Sequence, residues 1–291
     1  MGVEVELISA DSRSFYRGLD IGTAKPTPEQ RLLVPHHLID IREPHERYDV
    51  MQFRRDVARL IGEIRARSRL PLVVGGSTLY VQALTGRFFQ GPSADLVLRR
   101  RLARLPLEEL YKKLEEVDPE AARRIDPHDR QRLVRALEVY ELTGRPISEL
   151  QRDSEPFPYR FFKLGLVMDR AALYRRIEER VDRMVEQGLI EEARRLFEEG
   201  RIPEEAPAYR TIGYEELFAH FAGRISLERA IALIKRNSRR LAKRQLTFFR
   251  RDPEIRWLDV TGKSADEVAR EVLALLEGAG LLNGVISGRK R

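Results

Sequence analysis

The sequence of 291 residues contains no cysteine, and this absence excludes several kinds of site at once. Disulfide bridges, thiolate zinc sites and cysteine nucleophiles all need a thiol, so the chemistry of this protein depends on other side chains. The sequence also lacks a run of about 18 apolar residues, and its N-terminus lacks the basic-then-apolar pattern of a secretion signal. We therefore expect a cytoplasmic protein with no membrane partner.

The composition is that of a folded chain with a modest basic excess. Hydrophobic residues make up 42% and charged residues 34%, and 53 Lys and Arg against 46 Asp and Glu give a net charge of +7. The length suffices for one large domain, or for one domain that carries an insertion. Because the excess is small, its location along the chain is more informative than its size.

Short apolar runs alternate with amphipathic helical segments, and this alternation predicts an α/β fold with a mostly parallel sheet. In such sheets ligands bind at the carboxyl ends of the strands. Asp11-Ser12 and Gly75-Gly76-Ser77 directly follow two of the predicted strands, so they are candidate site residues. The predicted strands are residues 3–10, 37–41, 70–74, 161–168 and 255–260.

The strand pattern disappears between Pro92 and Pro156, where the sequence predicts only helices. We interpret residues 93–155 as an all-helical insertion. Residues 1–92 and 156–280 then form the α/β core, and residues 281–291 form a basic C-terminal tail.

The densest positive charge lies between residues 235 and 251, which include eight basic residues and no acidic one. On a helix, basic residues four apart form rows on one face, where like charges repel. A phosphate backbone would relieve that repulsion, although a solvated basic face is the alternative. One row is Lys235, Arg239 and Lys243, and the other is Arg236, Arg240 and Arg244. Arg250 and Arg251 follow both rows.

Other local patterns are weak when each is taken alone. Two glycines at a strand end allow a ligand to approach the backbone closely, but a tight turn explains Gly75 and Gly76 equally well. Lys25, in the loop of residues 22–26, could contact a phosphate, and Asp11 could simply cap a helix. The five histidines have no metal-ligand spacing, so we assign them no catalytic role.

Seven blocks in a fixed order carry a resemblance that spans nearly the whole chain. They are residues 8–13 (ISADSR), 16–26 (YRGLDIGTAKP), 36–40 (HHLID), 73–80 (VVGGSTLY), 129–138 (DRQRLVRALE), 209–215 (YRTIGYE) and 243–250 (KRQLTFFR). Together they resemble the tRNA dimethylallyltransferases.

This resemblance implies a fold, a reaction and a set of partners. The fold is the parallel sheet of P-loop nucleotide kinases, flanked by helices, with a helical insertion that contacts the anticodon stem. The family transfers a dimethylallyl group from dimethylallyl diphosphate to the exocyclic amine of the adenosine that follows the anticodon in tRNA, with Mg²⁺ as cofactor. The adenosine leaves its stack and enters a channel, as enzymes that modify a base require. We expect a monomer.

The resemblance also implies roles for individual residues. Asp11 is the expected general base, because a carboxylate can accept the proton of the amine as the new bond forms. Arg180 and Arg176 are expected at the diphosphate, and Ser12, Gly75, Gly76 and Ser77 at the base channel. The expected tRNA-binding residues are Gln131, Arg132, Arg135, Arg210, Gly213, Tyr214, Lys243, Arg244, Gln245 and Arg250.

One family element is absent from the sequence. The family begins with a strand and a phosphate-binding loop of the form Gly-x-x-x-x-Gly-Lys-Ser/Thr, and no segment of this chain has that pattern. Either the stated start truncates a longer protein, which we favour because every later site residue fits, or the chain is a degenerate relative. We expect the chain as given to bind tRNA but to prenylate it poorly or not at all. Robust turnover with dimethylallyl diphosphate would contradict this expectation.

Two alternative functions remain at the level of sequence. An adenylate isopentenyltransferase would act on a free nucleotide, but such a substrate needs neither the helical insertion nor the basic face of residues 235–251. An inactive tRNA-binding relative is the second alternative.

Overall fold

A computed structural model describes residues 3–86, 88–89 and 91–282 of the chain. The chain divides into two compact units, with boundaries between Val81 and Gln82 and between Pro158 and Tyr159. Residues 283–291, most of the predicted basic tail, lie outside the described residues. The strands are β1 (Val5–Ser9), β2 (His36–His37), β3 (Leu70–Val74), β4 (Leu164–Val167) and β5 (Arg256–Asp259). The helices are α1 (Pro28–Leu33), α2 (Val50–Ala66), α3 (Thr78–Thr85), α4 (Leu96–Ala103), α5 (Leu107–Val117), α6 (Pro119–Arg124), α7 (Arg130–Thr143), α8 (Ile147–Arg152), α9 (Arg170–Glu186), α10 (Leu189–Glu198), α11 (Tyr214–Phe221), α12 (Leu227–Phe249) and α13 (Ala265–Gly278).

The first unit contains these strands in two parallel sheets. The first sheet has the order β2-β1-β3, and β4 pairs with β5 in the second. Each parallel pair is joined through helices, as a crossover connection requires. The predicted α/β class with a parallel arrangement of strands is therefore confirmed.

Strand β2 is shorter than the sequence pattern indicates. The apolar run predicts a strand over residues 37–41, but the structure has only His36–His37. Leu38 and Asp40 have φ angles of 61° and 56°, in the left-handed region, which side-chain-bearing residues rarely adopt. Because an extended strand cannot pass through such residues, the chain turns away from the sheet immediately after His37.

Strand β1 is fixed at its N-terminal half by a buried carboxylate. The Glu6 side chain is 2% exposed, and its carboxylate accepts hydrogen bonds from Arg67, Arg69 and His37. These hydrogen bonds, that from Arg67 above all, lower the pKa of Glu6 to about 2 against the opposing effect of its burial. The rings of Phe15, Tyr48, Phe53 and Tyr80 pack mostly edge to face in the same unit.

Helices α9 to α12 form the other large core of the first unit. Tyr214, Leu217 and Phe218 of α11 are fully buried in it, together with Leu189 and Leu196 of α10. Leu19, from the loop after β1, belongs to the same cluster. The loop that follows β1 is therefore anchored on the helices, and not on the sheet alone.

The second unit, residues 82–158, consists of helices α4 to α8 around their own apolar core, which includes Leu110, Leu114 and Leu133. Its boundaries differ from the predicted insertion of residues 93–155 because the unit already begins within α3. A bridge between Phe88 and Glu155 brings the two ends of the unit together. That this unit contacts the anticodon stem stays a prediction.

Candidate active site

Asp11 lies two residues beyond the carboxyl end of β1, where two local hydrogen bonds fix its conformation. Asp11 Oδ1 accepts the backbone N–H of Arg13 at 2.8 Å, and the Asp11 N–H donates to Ser9 Oγ at 3.3 Å. The carboxylate is partly exposed. It therefore has a defined position and is open to a ligand.

The end of β3 meets the end of β1 at this point. The Ser12 N–H donates to Ser77 Oγ at 2.9 Å, and the two hydroxyl oxygens are 3.1 Å apart. A Cβ atom at Gly75 would lie 2.4 Å from the carbonyl carbon and oxygen of Ala10, which excludes any side chain there. The structure thus brings Asp11, Ser12 and the Gly75-Gly76-Ser77 turn into one site.

Helix α12 contributes a third element to the same site. Gln245 Nε2 donates a hydrogen bond of 2.9 Å to the carbonyl oxygen of Gly76. A Cβ atom at Gly76 would lie 2.3 Å from that nitrogen, so the glycine allows the amide to approach. Sequence reasoning gave Gln245 only a role in tRNA binding.

Three arginines on one face of α9 bring positive charge towards Asp11. Desolvation by the surrounding protein lowers the pKa of Arg180, and the nearby charges of Arg176 and Arg183 lower it further. The carboxylate of Asp11 acts in the opposite direction and raises that pKa, so the two side chains lie close enough to interact. Arg183 was missed from sequence, although its spacing from Arg176 and Arg180 is helical.

The basic residues of α12 are divided between internal ion pairs and open positions. Lys235 binds Asp182 of α9 at 2.6 Å, and Arg239 binds Glu178 of the same helix. The expected repulsion along this row is therefore relieved in part by the protein itself. Within the described ranges, the exposed cations of α12 without a carboxylate partner are Arg229 near its N-terminus and Arg240, Lys243 and Arg244 towards its C-terminal end.

Lys25 is not available to a phosphate, which corrects the interpretation of its loop as a phosphate contact. Its side chain is 2% exposed, and Nζ donates to Asp20 Oδ1 at 2.7 Å, to Asp40 Oδ1 at 2.5 Å and to the carbonyl oxygen of Tyr16 at 2.6 Å. Arg31 also pairs with Asp40. Lys25 therefore ties its loop to Tyr16 and Asp40 and is not free to bind a ligand.

A buried carboxylate that the sequence did not reveal joins this loop to α11. Glu192 accepts the backbone N–H groups of Asp20 and Ile21 at 3.1 to 3.2 Å, and it accepts the hydroxyl of Tyr214. The Tyr214 ring is fully buried, so its side chain does not reach the surface where RNA was expected. In the sequence, nothing distinguishes Glu192 from its exposed neighbour Glu191.

The remaining predicted tRNA-binding residues differ in exposure. Gln131 and Arg132 of α7 and Arg210 of the first unit are exposed. Arg135 donates to the buried carboxylate of Glu138 at 2.5 Å and to the carbonyl oxygen of Pro92 at 2.9 Å, so it already holds the second unit together. Two further predicted residues are the buried Gly213 and the exposed Arg250.

The described residues lack a grouped metal site and a membrane-spanning helix. No three His, Cys, Asp or Glu side chains in that part of the chain are grouped to hold a metal ion. None of its helices is both long enough and apolar enough to span a bilayer.

The sequence matches a known family model and many curated proteins. The model described as IPP transferase matches residues 14–252. The chain is 46% identical over 276 residues to a tRNA dimethylallyltransferase of Carboxydothermus hydrogenoformans, covering 92% of this chain and 88% of that protein. It is 44% identical to the protein of that name from Thermotoga neapolitana, covering 94% and 90%.

Solved structures are similar over almost the entire chain. A full-length tRNA isopentenylpyrophosphate transferase from Bacillus halodurans aligns with a TM-score of 0.70 at 42% identity, covering 96% of this chain and 89% of that one. A eukaryotic dimethylallyltransferase, described as acting on tRNA, aligns with a TM-score of 0.81 at 26% identity, covering 98% and 75%.

Proposed function

The chain belongs to the IPP transferase family, and from that premise we propose that it is a tRNA dimethylallyltransferase. It transfers the dimethylallyl group of dimethylallyl diphosphate to the exocyclic amine of the adenosine 3′-adjacent to the anticodon. The observation that supports this most directly is the meeting of Asp11, Ser12 and the Gly75-Gly76-Ser77 turn at adjacent strand ends. A transferase acting on free nucleotide is not favoured, because the curated relatives are named as tRNA enzymes.

The position of Asp11 in the candidate site supports its assignment as the general base. The exocyclic nitrogen of adenine is a poor nucleophile because its lone pair is delocalised into the ring. As that nitrogen forms a bond to the allylic carbon, the bond from this carbon to the diphosphate oxygen breaks and the diphosphate leaves with the electron pair. The amine proton passes to the Asp11 carboxylate. Ser12, the residue after Asp11, and Ser77, whose hydroxyl contacts that of Ser12, line the channel that admits the base.

We assign binding of the diphosphate to three arginines of α9, namely Arg176, Arg180 and Arg183. The negative charge on the leaving group grows in the transition state, and cations fixed at that position stabilise it. Mg²⁺ commonly binds through phosphate oxygens, water and one or two carboxylates. We expect it to accompany the diphosphate, but the described residues do not form a carboxylate cage for it. The steps above depend only on the side chains of this protein.

The open cations of α12 support contact with the RNA backbone, since phosphates are the general partners of such residues. We propose the same role for Arg210 and Arg250 in the first unit and for Gln131 and Arg132 in the second. Arg135, Gly213 and Tyr214 would contribute by shaping the binding surface, because their side chains or backbones are engaged or buried in the protein.

A comparison of two acceptors tests the proposed function. We expect the protein, given dimethylallyl diphosphate and Mg²⁺, to add a dimethylallyl group to an anticodon stem-loop RNA and not to AMP, because only the RNA engages the cations of α12. The reaction should be slow, since the sequence has no Gly-x-x-x-x-Gly-Lys-Ser/Thr loop to hold the diphosphate. Mass spectrometry of the acceptors after a single turnover with excess protein measures both reactions. A stem-loop with guanosine at the target position is the matched control. Faster modification of AMP would overturn the proposal.

A further inference from the structure

Gln245 holds the backbone of the candidate channel from a helix whose cations are open to RNA. Its amide donates a hydrogen bond of 2.9 Å to the Gly76 carbonyl oxygen. The hydroxyl of the next residue, Ser77, accepts a hydrogen bond from the backbone N–H of Ser12. The residue before Gln245 is the exposed Arg244. A single side chain therefore links α12 to the turn that adjoins Asp11.

The local geometry indicates that this contact is specific. Gly76 has no Cβ, and a Cβ there would lie 2.3 Å from Gln245 Nε2 and 3.0 Å from the amide carbon. The turn cannot move towards β1 either, because Gly75 already packs against the backbone of Ala10. The Gly76 carbonyl is thus held between a rigid strand end on one side and the Gln245 amide on the other.

We propose that Gln245 is a positioning residue of the adenosine channel, which couples the seating of RNA on α12 to the opening that receives the base. The proposal rests on the proposed function and adds to it a residue that acts through Gly76 and not through a phosphate. Without the amide donor, RNA still binds the cations of α12, but the Gly75-Gly76-Ser77 turn is no longer held where the extruded adenosine must enter.

Base extrusion can be measured separately from binding. The probe is an anticodon stem-loop RNA with 2-aminopurine in place of the target adenosine, whose fluorescence rises when the base leaves the stack. At saturating protein, we expect Gln245→Met to reduce this rise roughly fivefold, the effect of losing one hydrogen bond. The Kd should stay within about twofold, since no phosphate contact is removed. Gln187→Met, at the exposed glutamine that directly follows α9, is the matched control.

A double variant tests whether the effect passes through Gly76. In Gly76→Ala the new methyl group must displace the flexible Gln245 amide, so we expect the same loss of fluorescence. The double variant Gly76→Ala with Gln245→Met should be no worse than either single change, because both break one contact. A merely structural role would lower the thermal stability and raise the Kd together.

The outcomes separate this inference from the proposed function. A normal fluorescence rise in Gln245→Met, or additive losses in the double variant, would overturn the inference alone. If the unaltered chain binds the RNA without any rise in fluorescence, both the inference and the proposed function are contradicted.

Discussion

Replacing Asp11 with asparagine should lower the rate of dimethylallyl transfer by about 10²–10⁴-fold, the usual contribution of a general base. The amide cannot take the proton of the amine as the carbon–nitrogen bond forms. Binding of the stem-loop RNA should stay within about twofold, because no cation is lost. Single-turnover transfer with protein in excess, followed by mass spectrometry, measures the rate relative to the unaltered chain.

The asparagine variant is informative because it preserves the local structure. Asparagine retains an Oδ1 atom that can accept the N–H of Arg13, which Asp11 now accepts at 2.8 Å. The change also removes a negative charge beside Arg180, so the attraction of that arginine for a diphosphate is not weakened. A loss of rate therefore reports on the missing base and not on a disordered turn or a poorer donor site.

An aspartate elsewhere on the surface provides the control for charge. Asp266 lies exposed in the first turn of α13, and Asp266→Asn should leave the transfer rate unchanged. If Asp11→Asn keeps more than about a tenth of the unaltered rate, Asp11 is not the general base.

The location of the site was predictable from the sequence because it depends on a rule of topology. Parallel strands place their carboxyl ends at one edge, so Asp11-Ser12 and Gly75-Gly76-Ser77 were expected at the same edge once both strands were recognised. Their direct contact depends also on the pairing of β1 with β3, which the structure shows. The same rule gave no information about Gln245, whose contact with Gly76 joins residues far apart in the sequence. Only the packing of α12 brings these two residues together.

Lys25 and Glu192 show what a local pattern cannot decide. Lys25 lies in a loop that begins with Gly22 and Thr23, which is compatible with a phosphate contact, yet Asp20 and Asp40 flank its ammonium group. Glu192 bonds the N–H of Ile21, 171 residues earlier in the chain. Whether a charged residue faces solvent or is buried against a partner depends on tertiary structure, so neither role was accessible from spacing alone.

Helix α12 carries both kinds of charged residue: some are paired within the protein and others are open to solvent. Its basic rows were apparent from the sequence, but the acidic partners of Lys235 and Arg239 lie on α9. The sequence argument from repulsion along the helix therefore overestimated how many of these cations are open to an external anion. The open charge is concentrated at Arg240, Lys243 and Arg244, nearer the end of the helix that carries Gln245.

This division of charge predicts different outcomes for two paired substitutions on the same helix. Arg240→Gln with Arg244→Gln should weaken binding of the anticodon stem-loop on the order of 100-fold, the effect of two charge-assisted contacts. The slope of log K against log salt should fall by about 2, since each lost phosphate contact removes about one unit. Fluorescence anisotropy titrations from low to moderate salt measure both quantities.

The control pair removes the same formal charge from positions that the protein itself neutralises. Lys235→Gln with Arg239→Gln leaves Asp182 and Glu178 without their partners, so it should lower stability slightly, as partly exposed ion pairs do. The salt slope should change by less than about one unit, because these cations already have anions beside them. If both pairs weaken RNA binding equally, the RNA responds to the total charge of α12, and the open row is not its specific contact.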